Sequence, residues 1–328
     1  MPPELKEIGG YLELDRHEGN HYHRNAVALD CGRSCISYLV ELRNIKTMWL
    51  PDYLCGSVSE LLARKNVIVK TYKVGSDLAP DLSSVSLGEE DYLLLADYYG
   101  QLDAITVEAA FRVCSGRLII DETQGFYVKP WHNADVFYNC RKWFGVADGA
   151  YLYSKDNKAL PRELPIGESW NHMNHLLGRY ERSGEEFYSA SLQNEARLIG
   201  IQPEAMSLLT ANLMCAIDHE KVRKRRSANW DALHEKLSRI NSLRLKKPTC
   251  PFMYPLFLGE KAQIVRRELI TRKIFVPMLW PDVAECCSPA SEAFGLATGI
   301  VPLPLDQRYC LTDMGRVISA ISEVLKCL

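Results

Sequence analysis

Short apolar runs alternate with helix-period stretches through the first half of this chain, and that alternation leaves few folds open. Residues 26–30, 47–50, 67–72, 92–97 and 118–121 each read as a short buried strand. The first is followed by Ile36, Leu39 and Val40 at helical spacing, and a helix is expected over residues 56–64. Asp103 is expected to cap another that runs to Val113. Strands alternating with helices argue for a mainly parallel sheet covered on both faces. The expectation is an α/β fold: a three-layer α/β/α large domain over residues 1–240 and a smaller α/β domain over 241–328. In the latter, residues 254–258 and 274–276 read as strands and 312–325 as the closing helix. A long helix is expected over residues 203–240, and the stretch 161–198 reads as polar and irregular.

In sheets of this kind ligands bind beyond the carboxyl ends of the strands. Gly32, Pro51, Tyr98, Asp121 and Lys142 all fall at such ends. Cys31-Gly32-Arg33-Ser34 joins the first strand to its helix, so backbone N–H groups and a positive dipole end meet there, as a phosphate requires. That turn is common and gains weight only from its company. Leu118-Ile119-Ile120-Asp121 is a strand that runs straight into an acid. Asp135-Val136-Phe137-Tyr138-Asn139-Cys140-Arg141-Lys142 is a second apolar run, ending in a basic pair ahead of a glycine-containing turn. A lone lysine beside an arginine is usually a solvated surface group. A strand-end acid followed by a strand-end lysine is what pyridoxal phosphate chemistry needs: the lysine forms the Schiff base, and the acid keeps the pyridine nitrogen protonated.

Composition narrows the partners. There are 39 basic and 41 acidic residues, a net charge of −2, which argues against nucleic acid and anionic membrane. The first residues, Met-Pro-Pro-Glu-Leu-Lys, show no apolar signal region, and no apolar run is long enough to span a bilayer. Eleven cysteines show no paired spacing; Cys31, Cys35, Cys114 and Cys215 sit in apolar runs and read as small buried hydrophobes of a reducing cytoplasm. Cys286 and Cys287 are expected at the surface. His172 and His175, like His21 and His23, lack supporting ligands at metal-site spacing and read as solvated or interface histidines; no metal is expected.

These residues together resemble the DegT/DnrJ/EryC1/StrS sugar aminotransferases, enzymes of pyridoxal phosphate transferase fold type I, over most of the chain. Gly32-Arg33-Ser34 is similar to that group's first phosphate turn, and Leu50-Pro51-Asp52-Tyr53 to its proline–aromatic segment. Tyr98-Tyr99-Gly100-Gln101-Leu102-Asp103 resembles its aromatic–glycine loop. Asp121-Glu122-Thr123-Gln124 resembles its Asp-x-x-Gln motif, Lys142 falls at the Schiff-base position, and Leu303-Pro304-Leu305-Asp306-Gln307-Arg308-Tyr309 matches a C-terminal signature. The resemblance implies pyridoxal 5'-phosphate as cofactor, with Lys142 and Asp121 catalytic and Gln124 near the ring hydroxyl. Gly32, Arg33 and Ser34 would hold the phosphate. It implies transfer from a glutamate-like donor to a nucleotide-linked keto-sugar, and a homodimer. The sequence departs from the pattern at Asn139 or Tyr138, where a serine is usual shortly before the lysine, and at Cys55, where an aromatic stacks on the ring. Tyr53, Tyr98 or Tyr99 then supplies the stacking, and Asn171 is the candidate for a contact across subunits. Lyase or decarboxylase chemistry on the same cofactor, and a non-catalytic homologue, remain as alternatives.

Overall fold

A computed structural model describes residues 8–327; the first six residues, discussed above, lie outside the described residues. The chain opens with β1 (Val27–Leu29) and α1 (Gly32–Arg43), then β2 (Thr47–Pro51), α2 (Gly56–Arg64) and β3 (Ile68–Tyr72). It continues through β4 (Tyr92–Ala96), α3 (Ala104–Val113), β5 (Leu118–Asp121), β6 (Asp135–Asn139) and β7 (Ala150–Tyr153). These seven strands form one sheet in the order β1-β7-β6-β5-β4-β2-β3. Strands β2 to β6 run parallel, and β7 is antiparallel to both β6 and β1. The carboxyl ends of β1, β4, β5 and β6 therefore share one edge.

Successive side chains of a strand point to opposite faces, and here both faces are covered. Leu94 and Ile119 pack with Ile36, Leu39 and Leu61 of α1 and α2. Leu93, Leu95 and Ile120 pack on the other side with Val107 and Ala110 of α3. Asp103 caps α3 as expected, its side chain accepting from Thr106 N–H at 3.0 Å. Helix α1 ends at Asn44, whose left-handed φ of 51° stops the helix.

The middle of the chain departs from expectation. The stretch read as irregular contains α4 (Asn174–Glu181) and α5 (Tyr188–Arg197), packed on one another. The expected long helix is two: α6 (Leu208–Cys215) and α7 (His219–Leu237). Asp218 separates them because its carboxylate accepts from Lys221 N–H at 2.9 Å and so starts a new helix. Ser207 caps α6 and is itself held by the buried Asp148.

A second, two-stranded sheet follows: β8 (Tyr254–Phe257), α8 (Ala262–Thr271), α9 (Pro281–Cys286), α10 (Glu292–Gly299), β9 (Ile300–Leu303) and α11 (Leu311–Lys326). Its core joins Leu256, Val301, Val265 and Ile321 to Trp230, Leu233 and Leu237 of α7, upstream of residue 240. Residues 274–276 are not a strand; Ile274 and Val276 are buried but outside any ladder. Among the described residues no helix is long and apolar enough to cross a membrane. All eleven cysteines are free, with Cys215 only partly buried and Cys286 exposed.

Candidate active site

The shared carboxyl edge opens into a cleft of about 490 Å³. Strand register builds its floor: Ala96 of β4, Asp121 of β5 and Phe137 of β6 lie side by side. Asn139, the last residue of β6, lies beside them. Gly32 and Arg33 open α1 at the back, and the first intrahelical bond is donated only by Cys35 N–H to the Cys31 carbonyl. The N–H groups of residues 32–34 precede that ladder, and Cys31 provides no side-chain cap. A Cβ on Gly32 would sit 3.4 Å from Asn139 Nδ2, so a larger residue would crowd this corner.

Asp121 ends its strand with Oδ1 accepting from Thr123 N–H at 2.8 Å. Burial pushes its carboxyl up to about 6; the bonds from Thr123 pull it back, and the charge of Asp97 raises it. Asp97 itself lies in a buried acidic pair with Glu122, whose Oε1 accepts from Trp131 Nε1 at 2.6 Å. Sequence reading did not single out this pair, although Asp97 follows a strand and Glu122 follows Asp121.

Gln124 also reaches the cleft, and its Oε1 accepts from Tyr99 N–H at 2.7 Å. That bond steadies Tyr99 at a left-handed φ of 57°, in the tight turn before Gly100. Tyr98 forms part of the wall and donates its hydroxyl to the Tyr53 carbonyl. Cys55 precedes α2 without a side-chain cap and lines the cleft, its Sγ 3.1 Å from Ser57 Oγ.

Lys142 stands on the loop between β6 and β7, its side chain 43% exposed and its Nζ 3.5 Å from Glu195 Oε1. Neighbouring Arg141 is buried and grips both oxygens of Glu195, at 3.0 Å each. Glu195 comes from α5, and Arg33 donates to its backbone carbonyl at 3.2 Å. Burial would raise the Glu195 carboxyl, but Lys142 and Arg141 together draw it down to about 2.

The roof comes from the second unit. Residues 277–282 cross the cleft, with Trp280 edge-on to Tyr53 at 4.6 Å between ring centres. Asp282 accepts from Gly56 N–H, so the roof caps α2.

Eight of the ten sequence-predicted residues meet here: Gly32, Arg33, Cys55, Tyr98, Asp121, Gln124, Asn139 and Lys142. Two do not reach the wall. Ser34 is fully buried and bonded by the Cys31 thiol, and Tyr53 is packed between Tyr98 and Trp280. Tyr99 is buried as well, while Tyr98 and the unforeseen Trp280 line the cleft together with Phe137 and Phe252. Asn171 is exposed and lies off the cleft wall. His23 is buried and stacked on Tyr138 rather than solvated. Among the described residues no group of three or more His, Cys, Asp or Glu side chains is arranged to hold a metal.

No protein-family model matches the sequence, and no curated protein matches it. Solved structures do. Sugar aminotransferase CalS13 from Micromonospora echinospora superposes with a TM-score of 0.65 at 14% identity, covering 92% of this chain and 87% of that one. This chain has the sugar-aminotransferase fold. DesV from S. venezuelae, solved in complex with a ketimine intermediate, gives 0.63 at 14% identity over 91% and 84% of the two chains. A DegT DnrJ EryC1 StrS aminotransferase from Brucella abortus gives 0.58 at 12% identity over 91% and 85%. At such identities the shared property is the fold, and activity must be argued from the site.

Proposed function

We propose that this chain is a pyridoxal-phosphate-dependent aminotransferase that moves an amino group from an amino-acid donor to a nucleotide-linked keto-sugar, in the cytoplasm. The observation that carries the reading is the convergence of Asp121 and Lys142 on one cleft beside the opening turn of α1. The residues present fit the cofactor. Asp121 is a partly buried carboxylate at the cleft floor, suited to a cationic ring nitrogen. The N–H groups that open α1, with Arg33 beside them, suit a phosphate.

When bound, the cofactor supplies an electron sink for the carbon that loses its proton. Asp121, at the cleft floor, would supply the negative charge for the ring nitrogen and so keep that sink open. Lys142 would hold the cofactor through its Nζ, and that Nζ, once free, would be the group that carries a proton to and from the substrate. Tyr98 and Trp280 exclude water from the wall and roof. Glu195 Oε1 lies 3.5 Å from Lys142 Nζ and restrains the lysine until the site is filled.

A transaminase completes half a reaction with donor alone. The yellow, cofactor-loaded protein mixed with L-glutamate should bleach, and the correct nucleotide keto-sugar should restore the colour. A lyase or decarboxylase would release product and stay yellow, and a non-catalytic homologue would not change. A donor panel that never bleaches the protein removes transamination.

The functional unit in this reading is a homodimer. Ile166, Trp170, Leu177, Tyr180, Tyr188 and Leu192 are exposed apolar residues on the segment that delivers Glu195 to the cleft. Covering them with a second copy supports the site from outside. Light scattering at micromolar concentration should give twice the chain mass; a cofactor-bound monomer would contradict it.

A further inference from the structure

Deepening that reading, and resting on it, we propose that Asp97 and Glu122 share one proton between their two buried carboxyls, and that the single negative charge left on this pair acts with Asp121 to select a cationic ring nitrogen in the cleft. Asp97 is 3% exposed and Glu122 is wholly buried. They stand on neighbouring strand ends: β4 and β5 pair at Ala96 and Asp121, and each acid is the next residue along its chain. A Cβ at Gly125 would overlap Glu122 Oε2 and lie 2.8 Å from Asp97 Oδ2, so one gap left by a glycine holds both oxygens.

The donors around the pair decide which acid keeps the proton. Asp97 Oδ1 accepts from Leu102 N–H at 2.8 Å, as suits a carboxylate. Glu122 Oε1 accepts from Trp131 Nε1 at 2.6 Å, but its Oε2 is buried with no donor to meet it. A proton on Oε2, given to Asp97, satisfies both acids, whereas two adjacent carboxylates in a dry corner repel. Burial raises both acids; the Asp97 charge pushes Glu122 further up, and the hydrogen bond from Glu122 pulls Asp97 back down. The charge bears on the site, because Asp97 lines the cleft and raises the Asp121 carboxyl. The other titratable groups facing these acids are Tyr138 of β6, Tyr98, and Cys35 of α1. Burial pushes all three up, so they stay neutral and do not offset the charge. A cation beside Asp121 therefore meets two carboxylates, while a neutral ring leaves both unpaired.

Infrared difference spectra between wild type and Glu122→Gln at mildly alkaline pH, with and without cofactor, should show a protonated-carboxyl band that the variant lacks. Glu122→Gln should also keep pyridoxal phosphate affinity within about twofold, because an amide reproduces the protonated acid, accepting from Trp131 and donating to Asp97. Asp97→Asn combined with Glu122→Gln removes the charge. That double variant should bind pyridoxal phosphate about tenfold more weakly, and the pH dependence of its affinity should move about one unit lower, since a like charge beside Asp121 is gone. Its affinity for the deaza analogue, with carbon in place of the ring nitrogen, should not weaken. A wild type without the band overturns the shared proton, and so does a tenfold loss in Glu122→Gln alone; both measurements stand even where the double variant does not fold. Equal weakening on both ligands, the mark of a merely structural role, overturns the action on the cleft, and so does unchanged binding of both. If pyridoxal phosphate does not bind the wild type while the band behaves as stated, the cofactor reading fails and the one-proton pair stands.

Discussion

Lys142→Ala should fold normally, bind cofactor without being fixed to it by borohydride, and transaminate about 10⁴-fold more slowly, the upper range for a lost acid–base group. Folding is spared because the side chain is 43% exposed and its single ion pair with Glu195, at 3.5 Å, is of a kind worth about 1 kcal/mol or less. The chemical loss is large because one amine serves as both covalent anchor and proton carrier. Peptide mapping of borohydride-treated wild type checks the assignment directly. A reduced adduct on any other lysine removes Lys142 from the role.

Asp121→Asn should retain much of the cofactor and lose turnover by about 10³-fold, since an amide offers no charge to hold the ring nitrogen protonated. The wild type adds a pH signature. Burial lifts the Asp121 carboxyl to about 6 in the free chain, and the cofactor's ring nitrogen selects the ionised form. Below pH 6 the carboxyl must shed a proton on binding, so affinity should fall as pH drops, by at most about tenfold per unit. Above pH 6 the carboxylate is already ionised and this dependence should flatten. The Asn variant should lack the effect altogether. Titration of cofactor affinity against pH, for both proteins, settles the role; near-normal turnover in Asp121→Asn excludes it.

The floor of the site was legible because strands expose their last residues at one edge. Asp121 and Asn139 are terminal strand residues, Gly32 and Lys142 follow strands closely, and all four meet. Side-chain direction was less legible. Residues of a helix turn by about 100° each, so Ser34, two places after Gly32, points about 200° away and into the core. Tyr53 follows a strand end but is trapped by the roof, whose approach no local pattern announces. Glu195 was missed for the same reason: a polar residue on a short helix acquires its meaning only where α5 meets the β6–β7 loop. The break between α6 and α7 did carry a signal, because Asp218 is a good helix-starting residue inside the supposed long helix.

The way residues 277–282 lie over the cleft has an evolutionary consequence. Asp121 and Lys142 are encoded in the first half of the chain, while Met278, Leu279 and Trp280 are encoded near its end. Trp280 meets the floor unit edge-on at Tyr53 and Tyr98, and Asp282 joins it through the Gly56 backbone N–H. A Cβ at position 56 would sit 2.6 Å from Asp282 Oδ2, so this contact asks only for a glycine in the floor and an acid in the roof. Drift or recombination can therefore reshape the ceiling, and with it the range of acceptors admitted, while the cofactor-facing half is inherited intact. Homologues with this floor should diversify first in the segment that hangs above it.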